Sequence, residues 1–230
     1  MTGGGRSPFP VPRFPLTAYI TPMLSLLLAL LQADTIRITP ADRPPVFDGQ
    51  ADSAEYGQPT LTIARPAGIV QIWLRSHEGK VWIAARLPDS TFYWGDDLVI
   101  SLDTRGDRAA APQHDDFQWY LRRSLDRSQV LRGEAGKWRT PGDDPDWKLG
   151  SAREGGGWEV RSADEPRGWA VELRLDPAYF GEAGSLHPAM AFRVYDDDPH
   201  GWHIWPSPPG IRQPTELERR PALWAVVLGP

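Results

Sequence analysis

Val70-Gln71-Ile72-Trp73-Leu74-Arg75, then His77-Glu78-Gly79-Lys80, then Val81-Trp82-Ile83-Ala84-Ala85-Arg86 decide the fold class of this chain. In the first run Val70, Ile72 and Leu74 point one way, and Gln71, Trp73 and Arg75 the other. The second run alternates in the same way, with Val81, Ile83 and Ala85 opposed to Trp82, Ala84 and Arg86. A period of two is the signature of a strand with two unlike faces, and the Glu-Gly pair between the runs makes a hairpin.

The same alternation recurs along the chain. Leu98, Ile100 and Leu102 predict a strand ended by Asp103-Thr104-Arg105-Gly106-Asp107, and Phe117, Trp119 and Leu121 predict the next. Trp158–Ser162 and Trp169–Leu175 predict a second hairpin around 163–168. Met190, Phe192 and Val194 follow, and Leu223, Ala225 and Val227 close the chain. Only Asp176-Pro177-Ala178-Tyr179-Phe180 reads as helical, with Asp at the N-cap and Pro at the first position. The 22 Gly and 24 Pro punctuate the whole length. Short strands at regular spacing, with many turns and at most one short helix, predict an all-β fold. Its antiparallel sheets pack as a β-sandwich.

Residues 1–15 carry Arg6 and Arg13 and no acid, and an apolar stretch runs from Leu16 to Leu31 before Gln32-Ala33. A basic start, a short apolar core and a small residue read as an export signal cleaved after Ala33. Residues 1–33 are thus expected to be a signal peptide and 34–230 a single domain, secreted or periplasmic, with no membrane insertion after cleavage. The formal charge is −5, and losing the leader removes two Arg and no acid. That balance argues against nucleic acid as a partner and suits a neutral ligand. No Cys is present, so no disulfide staples the fold.

Eleven Trp exceed what a core of this size needs. Trp73, Trp82, Trp119, Trp158, Trp169 and Trp224 lie in predicted strands and are expected to pack in the core or on a sheet face. Trp94, Trp202 and Trp205 lie beside turns and are expected to be exposed. Sugar rings present a flat apolar C–H face and a polar rim, which suits an indole surface. The chain shows no Gly-x-Ser-x-Gly elbow and no phosphate-cradling Gly loop, and with 30 acids a carboxylate pair says nothing about glycoside cleavage. Zinc and haem find no suitable His or Met arrangement.

Pro45-Val46-Phe47-Asp48-Gly49 with Asp52, Glu55 and Tyr56 resembles the opening signature of the family 9 carbohydrate-binding modules and their DOMON-like relatives. Later pieces come in the family's order: Val70–Arg75 with Val81–Arg86; Trp94–Asp103; Asp115-Asp116-Phe117-Gln118-Trp119; Gly168–Leu175; Ala191–Asp197; Ile204-Trp205; and Pro221–Trp224. The likeness covers nearly all of 45–228. It implies a β-sandwich that holds the end of a polysaccharide between two tryptophans, often with structural calcium nearby. Trp94 matches the first clamp residue and Trp205 the second, with Trp202 as a competitor. Tyr120 stands where the family often has an Arg; Gln118, Tyr120 and Arg122 share one strand face and could bond hydroxyls. For calcium the candidates are Asp48, Asp52 and Asp197, and no cofactor is required. The function expected is non-catalytic carbohydrate binding, alongside a polysaccharide-degrading enzyme as a possible partner. The alternatives are a cell-envelope docking module without a glycan ligand, and a glycoside hydrolase or an accessory to one.

Overall fold

A computed structural model describes residues 1, 34–89, 91–93, 95–124, 128–140, 157–180, 187–197 and 200–229. The apolar leader, its expected cleavage position and Trp94 lie outside the described residues, and the side chain of Asp197 is likewise not described.

Two sheets make up the described chain. The first runs in the order β1 (Thr35–Arg37), β14 (Ala225–Leu228), β12 (Ala189–Asp197), β6 (Asp97–Asp103), β7 (Asp116–Arg122), β8 (Gln129–Glu134) and β9 (Lys137–Arg139). Past the two residues paired with β14, β12 takes β13 (His200–Trp205) as its neighbour. The second sheet runs β10 (Trp158–Glu165), β11 (Gly168–Leu175), β5 (Lys80–Pro88), β4 (Gly68–His77) and β2 (Thr39–Pro40), with β3 (Leu61–Arg65) also on β4. Pairing is antiparallel except for β1 with β14 and β2 with β4. The expected all-β sandwich is the architecture observed.

Alternation fills the space between the sheets. Val70, Ile72 and Leu74 meet Val81, Ile83 and Ala85 from one sheet, and Leu98, Ile100, Leu102, Trp119, Met190, Phe192 and Val194 from the other, all in one buried cluster. Burial of this apolar area is the main favourable term in folding. The β4–β5 hairpin turns on Glu78 and Gly79, both at positive φ (47° and 79°), as a two-residue turn matched to strand twist requires. All six tryptophans expected in strands are buried, at 3% exposure or less, although Trp224 lies between a 3-10 turn (Pro221–Leu223) and β14 and not in a strand.

The outer face of the second sheet is also covered. Trp73, Trp82, Ala84 and Ala170 pack beneath Ala51 and Tyr56, which come from the segment around helix α1 (Ser53–Tyr56). Asp52 caps that helix, its Oδ1 accepting from the amides of Ala54 (2.8 Å) and Glu55 (2.9 Å). Glu172 projects from β11 into this layer with no solvent exposure. The Tyr56 hydroxyl donates to one of its oxygens, and the Gly49 amide to the other at 2.6 Å. Two helical pieces beyond the predicted one therefore matter: α1 here, and α2 (Pro214–Glu218) on the opposite sheet. The predicted helical segment is a 3-10 turn at Pro177–Phe180.

Burial pushes the Glu172 carboxyl up to about 7, against the pull of its Tyr56 and Gly49 hydrogen bonds. A carboxyl raised on folding contributes stability below its unfolded pKa and loses it as pH rises through the folded value. Urea melts of the wild type should therefore show stability falling between about pH 5 and pH 8, with a shallower slope in Glu172→Gln. Gly49 sits at φ +90°, and a Cβ there would lie 2.6 Å from the carbonyl carbon of Ser162. Gly49→Ala should cost upwards of about 2 kcal/mol in the same melts.

Candidate functional site

The outer face of the first sheet carries the polar chemistry. Register arranges it in rows. Asp103 pairs with Asp116, Ser101 with Gln118, Val99 with Tyr120, and Asp97 with Arg122. On β12, Ala189, Ala191 and Arg193 fall opposite Asp103, Ser101 and Val99. On β13, Ile204 falls opposite Arg193 and Trp202 opposite Tyr195. Two-residue alternation makes all of these face away from the sandwich core.

Arg193 is the centre of this face. It is 5% exposed, and its guanidinium carbon lies 4.1 Å from the centre of the Trp202 ring and 5.2 Å from that of Tyr120. Its Nε is 2.5 Å from Glu218 Oε1 in α2, and its Nη2 is 3.8 Å from Asp97 Oδ2. A buried cation needs such partners, because desolvation otherwise outweighs its attractions. Burial pushes the Asp97 carboxyl up to about 6, with Arg193 and then Arg122 pulling it down. Burial likewise raises Glu218 against the pull of Arg193.

Trp202 is 45% exposed, whereas its neighbours in the row are not. Its ring centre lies 4.4 Å from that of Tyr195, which in turn is 6.4 Å from Tyr93. The Tyr195 hydroxyl is 2.9 Å from a ring nitrogen of His200. The arrangement is an indole supported from behind by a cation and flanked by tyrosines, with its outer surface open. Such a surface can stack on a flat apolar ring while Tyr and His edges reach hydroxyls.

The expected ligand residues do not all meet here. Trp202, Tyr120 and Arg122 share this face, the latter two half-buried. Gln118 shares it too, but has no exposure and donates to the Ser101 hydroxyl at 3.1 Å, beneath the covering segment. Trp205 pairs with Phe192 and turns to the opposite, core side of the sheet, where its ring lies 6.0 Å from that of Phe192. Trp202 and Trp205 are three positions apart, an odd offset, so a strand must point them to opposite faces. The structure thus places Trp205 away from Gln118, Tyr120 and Arg122. Arg193, Tyr195 and Tyr93 are the additions. Arg193 and Tyr195 were readable as the polar phase of the Met190, Phe192, Val194 alternation.

The metal candidates are likewise dispersed. Asp48 accepts from the Gln50 amide at 2.9 Å, Asp52 caps α1, and Asp197 belongs to the other sheet. A different acidic group assembles at the far end of the polar face. Carboxylate oxygens of Asp103, Asp107 and Asp115 lie within 4.8 Å of one another. Asp116, the cross-strand partner of Asp103, is 1% exposed, and its Oδ1 has no hydrogen-bond partner. Calcium–oxygen bonds of roughly 2.3–2.6 Å span just such a separation across a shell, and hard carboxylate oxygens are its preferred donors. Asp103, Asp107 and Asp115 thus offer the oxygen donors that such a cation takes, brought together by the end of β6 and the loop that leads into β7.

No protein-family model and no curated protein matches the sequence. Solved structures do match the fold. A family 9 carbohydrate-binding module from Caldicellulosiruptor kristjanssonii in complex with cellotriose superposes with a TM-score of 0.55 at 19% identity, covering 83% of this chain and 92% of that one. A family 9 module from the same organism in complex with glucose gives 0.54 at 17% identity, covering 86% and 97%. This chain has the fold of a family 9 carbohydrate-binding module.

Proposed function

We propose that the protein is an exported, non-catalytic module that binds carbohydrate on the outer face of its first sheet, with Trp202 as the stacking platform. The observation that carries this reading is the half-exposed indole of Trp202, backed by the Arg193 guanidinium at 4.1 Å and flanked by Tyr195. Large aromatic surface is costly to leave in water, and here it lies beside Tyr, His and Arg groups able to bond hydroxyls. The bound glucose and cellotriose of the similarly folded modules support the same ligand class. The family resemblance assigns the second face of a sugar clamp to Trp94, which lies outside the described residues. Export follows from the leader composition, and a polysaccharide-degrading enzyme is the natural companion of a module that binds without cleaving.

Calorimetric titration with glucose and cellotriose tests this. Trp202→Ala should weaken binding by roughly tenfold or more, about 1.4 kcal/mol, while leaving the melting temperature within a few degrees. Trp205→Ala should act the other way, lowering stability by about 2–4 kcal/mol through a lost core contact while the folded fraction binds normally. Retained affinity in Trp202→Ala would remove the platform from the site. Absence of heat with either sugar and with a wider oligosaccharide panel would contradict the carbohydrate reading itself.

A further inference from the structure

Phe92 and Trp202 are the two exposed Phe, Tyr or Trp side chains among the described residues, Phe92 at 64%. A single apolar side chain in water needs no function. What sets Phe92 apart is how it is held. The Arg123 guanidinium carbon lies 4.8 Å from the centre of its ring. The Arg123 side chain is itself 10% exposed. Trp202 over Arg193 is built in the same way, an open ring with a buried guanidinium behind it.

Arg123 follows β7 and ties three pieces of chain together. Its Nε donates to Asp164 Oδ1 at 2.7 Å and its Nη2 to the Gly168 carbonyl at 3.2 Å, both in the β10–β11 hairpin. Its Nη1 donates to the Thr91 carbonyl at 2.8 Å and lies 3.9 Å from Asp96 Oδ2. Its own amide donates to the Asp96 carbonyl at 3.2 Å. With the edge of the guanidinium spent on these partners, its flat face is left for Phe92. Buried carboxylates fix the rest of the loop. Asp96 Oδ2 accepts from the Tyr93 amide at 3.0 Å, and the Asp96 amide donates to the Tyr93 carbonyl at 3.1 Å. Asp89 Oδ1 accepts from the amide and the hydroxyl of Thr91, both at 2.9 Å. Both chain neighbours of Phe92 are therefore tied down.

This loop enters the sheet at its aromatic end. It leads into Asp97, the first residue of β6, which faces Arg193. Tyr93 lies 6.4 Å from Tyr195 and Tyr195 lies 4.4 Å from Trp202, ring centre to ring centre. Phe92 is thus one residue beyond an aromatic series that starts at Trp202. The exposed Asp164 carboxylate, bonded to the same Arg123, keeps lone pairs for hydroxyl groups.

We infer that Phe92, held by Arg123, is a second stacking site, which takes a further sugar unit of an oligosaccharide whose first ring lies on Trp202. The inference rests on the carbohydrate reading of the Trp202 face. The open side of a phenyl ring meets the C–H face of a pyranose as an indole does. A ring already fixed by its neighbours loses little freedom when a ligand stacks on it. Two tyrosine rings separate Phe92 from Trp202, so a monosaccharide does not cover both. Chain length is the property that Phe92 reads.

Calorimetric titration of the full chain with glucose, cellotriose and cellohexaose tests this. In the wild type, affinity should rise along the series. Phe92→Ala should weaken cellohexaose binding by about threefold to tenfold, leave glucose binding unchanged and keep the melting temperature within about two degrees. Phe92→Tyr keeps a ring at the position and should restore the wild-type series. Equal cellohexaose affinity in the wild type and Phe92→Ala, with glucose bound by both, would overturn the second stacking site and leave the Trp202 reading standing. Loss of glucose and cellohexaose binding in equal proportion would also overturn it, by putting Phe92 against the first ring. No binding of any of the three sugars by the wild type would fail the carbohydrate reading and take this site with it.

Discussion

Burial of the Arg193 guanidinium is the constraint around which the functional face is arranged. A cation at 5% exposure must be repaid by close partners, and Glu218 and Asp97 supply them from a helix and a neighbouring strand. Once fixed, that cation presents its flat surface to Trp202 and Tyr120. The indole is therefore held rigid from beneath while its outer surface stays wet. A platform organised in advance spends less of its binding energy on ordering side chains.

The same face shows how one sheet serves two roles. Its inward phase, Leu98, Ile100, Leu102, Met190, Phe192 and Val194, is uniformly apolar and makes the core. Its outward phase is graded along the strands, from aspartates at one end through the small residues Ser101 and Ala191 to cations and aromatics at the other. Ala189 and Ala191 admit Leu217 and Trp224, which cover the middle of the face. The aromatic end stays uncovered, with Trp202 45% exposed. Glu172 plays the matching structural part on the second sheet, tying the Gly49 and Tyr56 segment over β11.

Strands were legible because alternation is a local property. The apolar runs named from the sequence became strands with their apolar phase inward, except that Leu223 falls in a 3-10 turn ahead of β14 and packs with Leu217 and Trp224 on the outer face; the tryptophans expected in strands went inside. The helices at Ser53–Tyr56 and Pro214–Glu218 are too short to show a 3.6-residue period, and packing, not propensity, holds them. The site was legible only in part. Trp202 against Trp205 is a question of parity within a strand, which spacing alone answers once both are known to lie in β13. Gln118 was read onto the correct face, but its burial depends on a strap more than ninety residues away. The acidic group escaped notice because Asp107 and Asp115 come back to Asp103 only through the loop that leads from β6 into β7.

The central claim is that ligand meets the outer face of β12 and β13, at Trp202, and not the core side at Trp205. Following the indole N–H resonances by NMR while adding cellotriose examines it directly. The account predicts that the Trp202 resonance shifts in a saturable way while that of Trp205 stays in place. A saturable shift at Trp205 with Trp202 unmoved would contradict it.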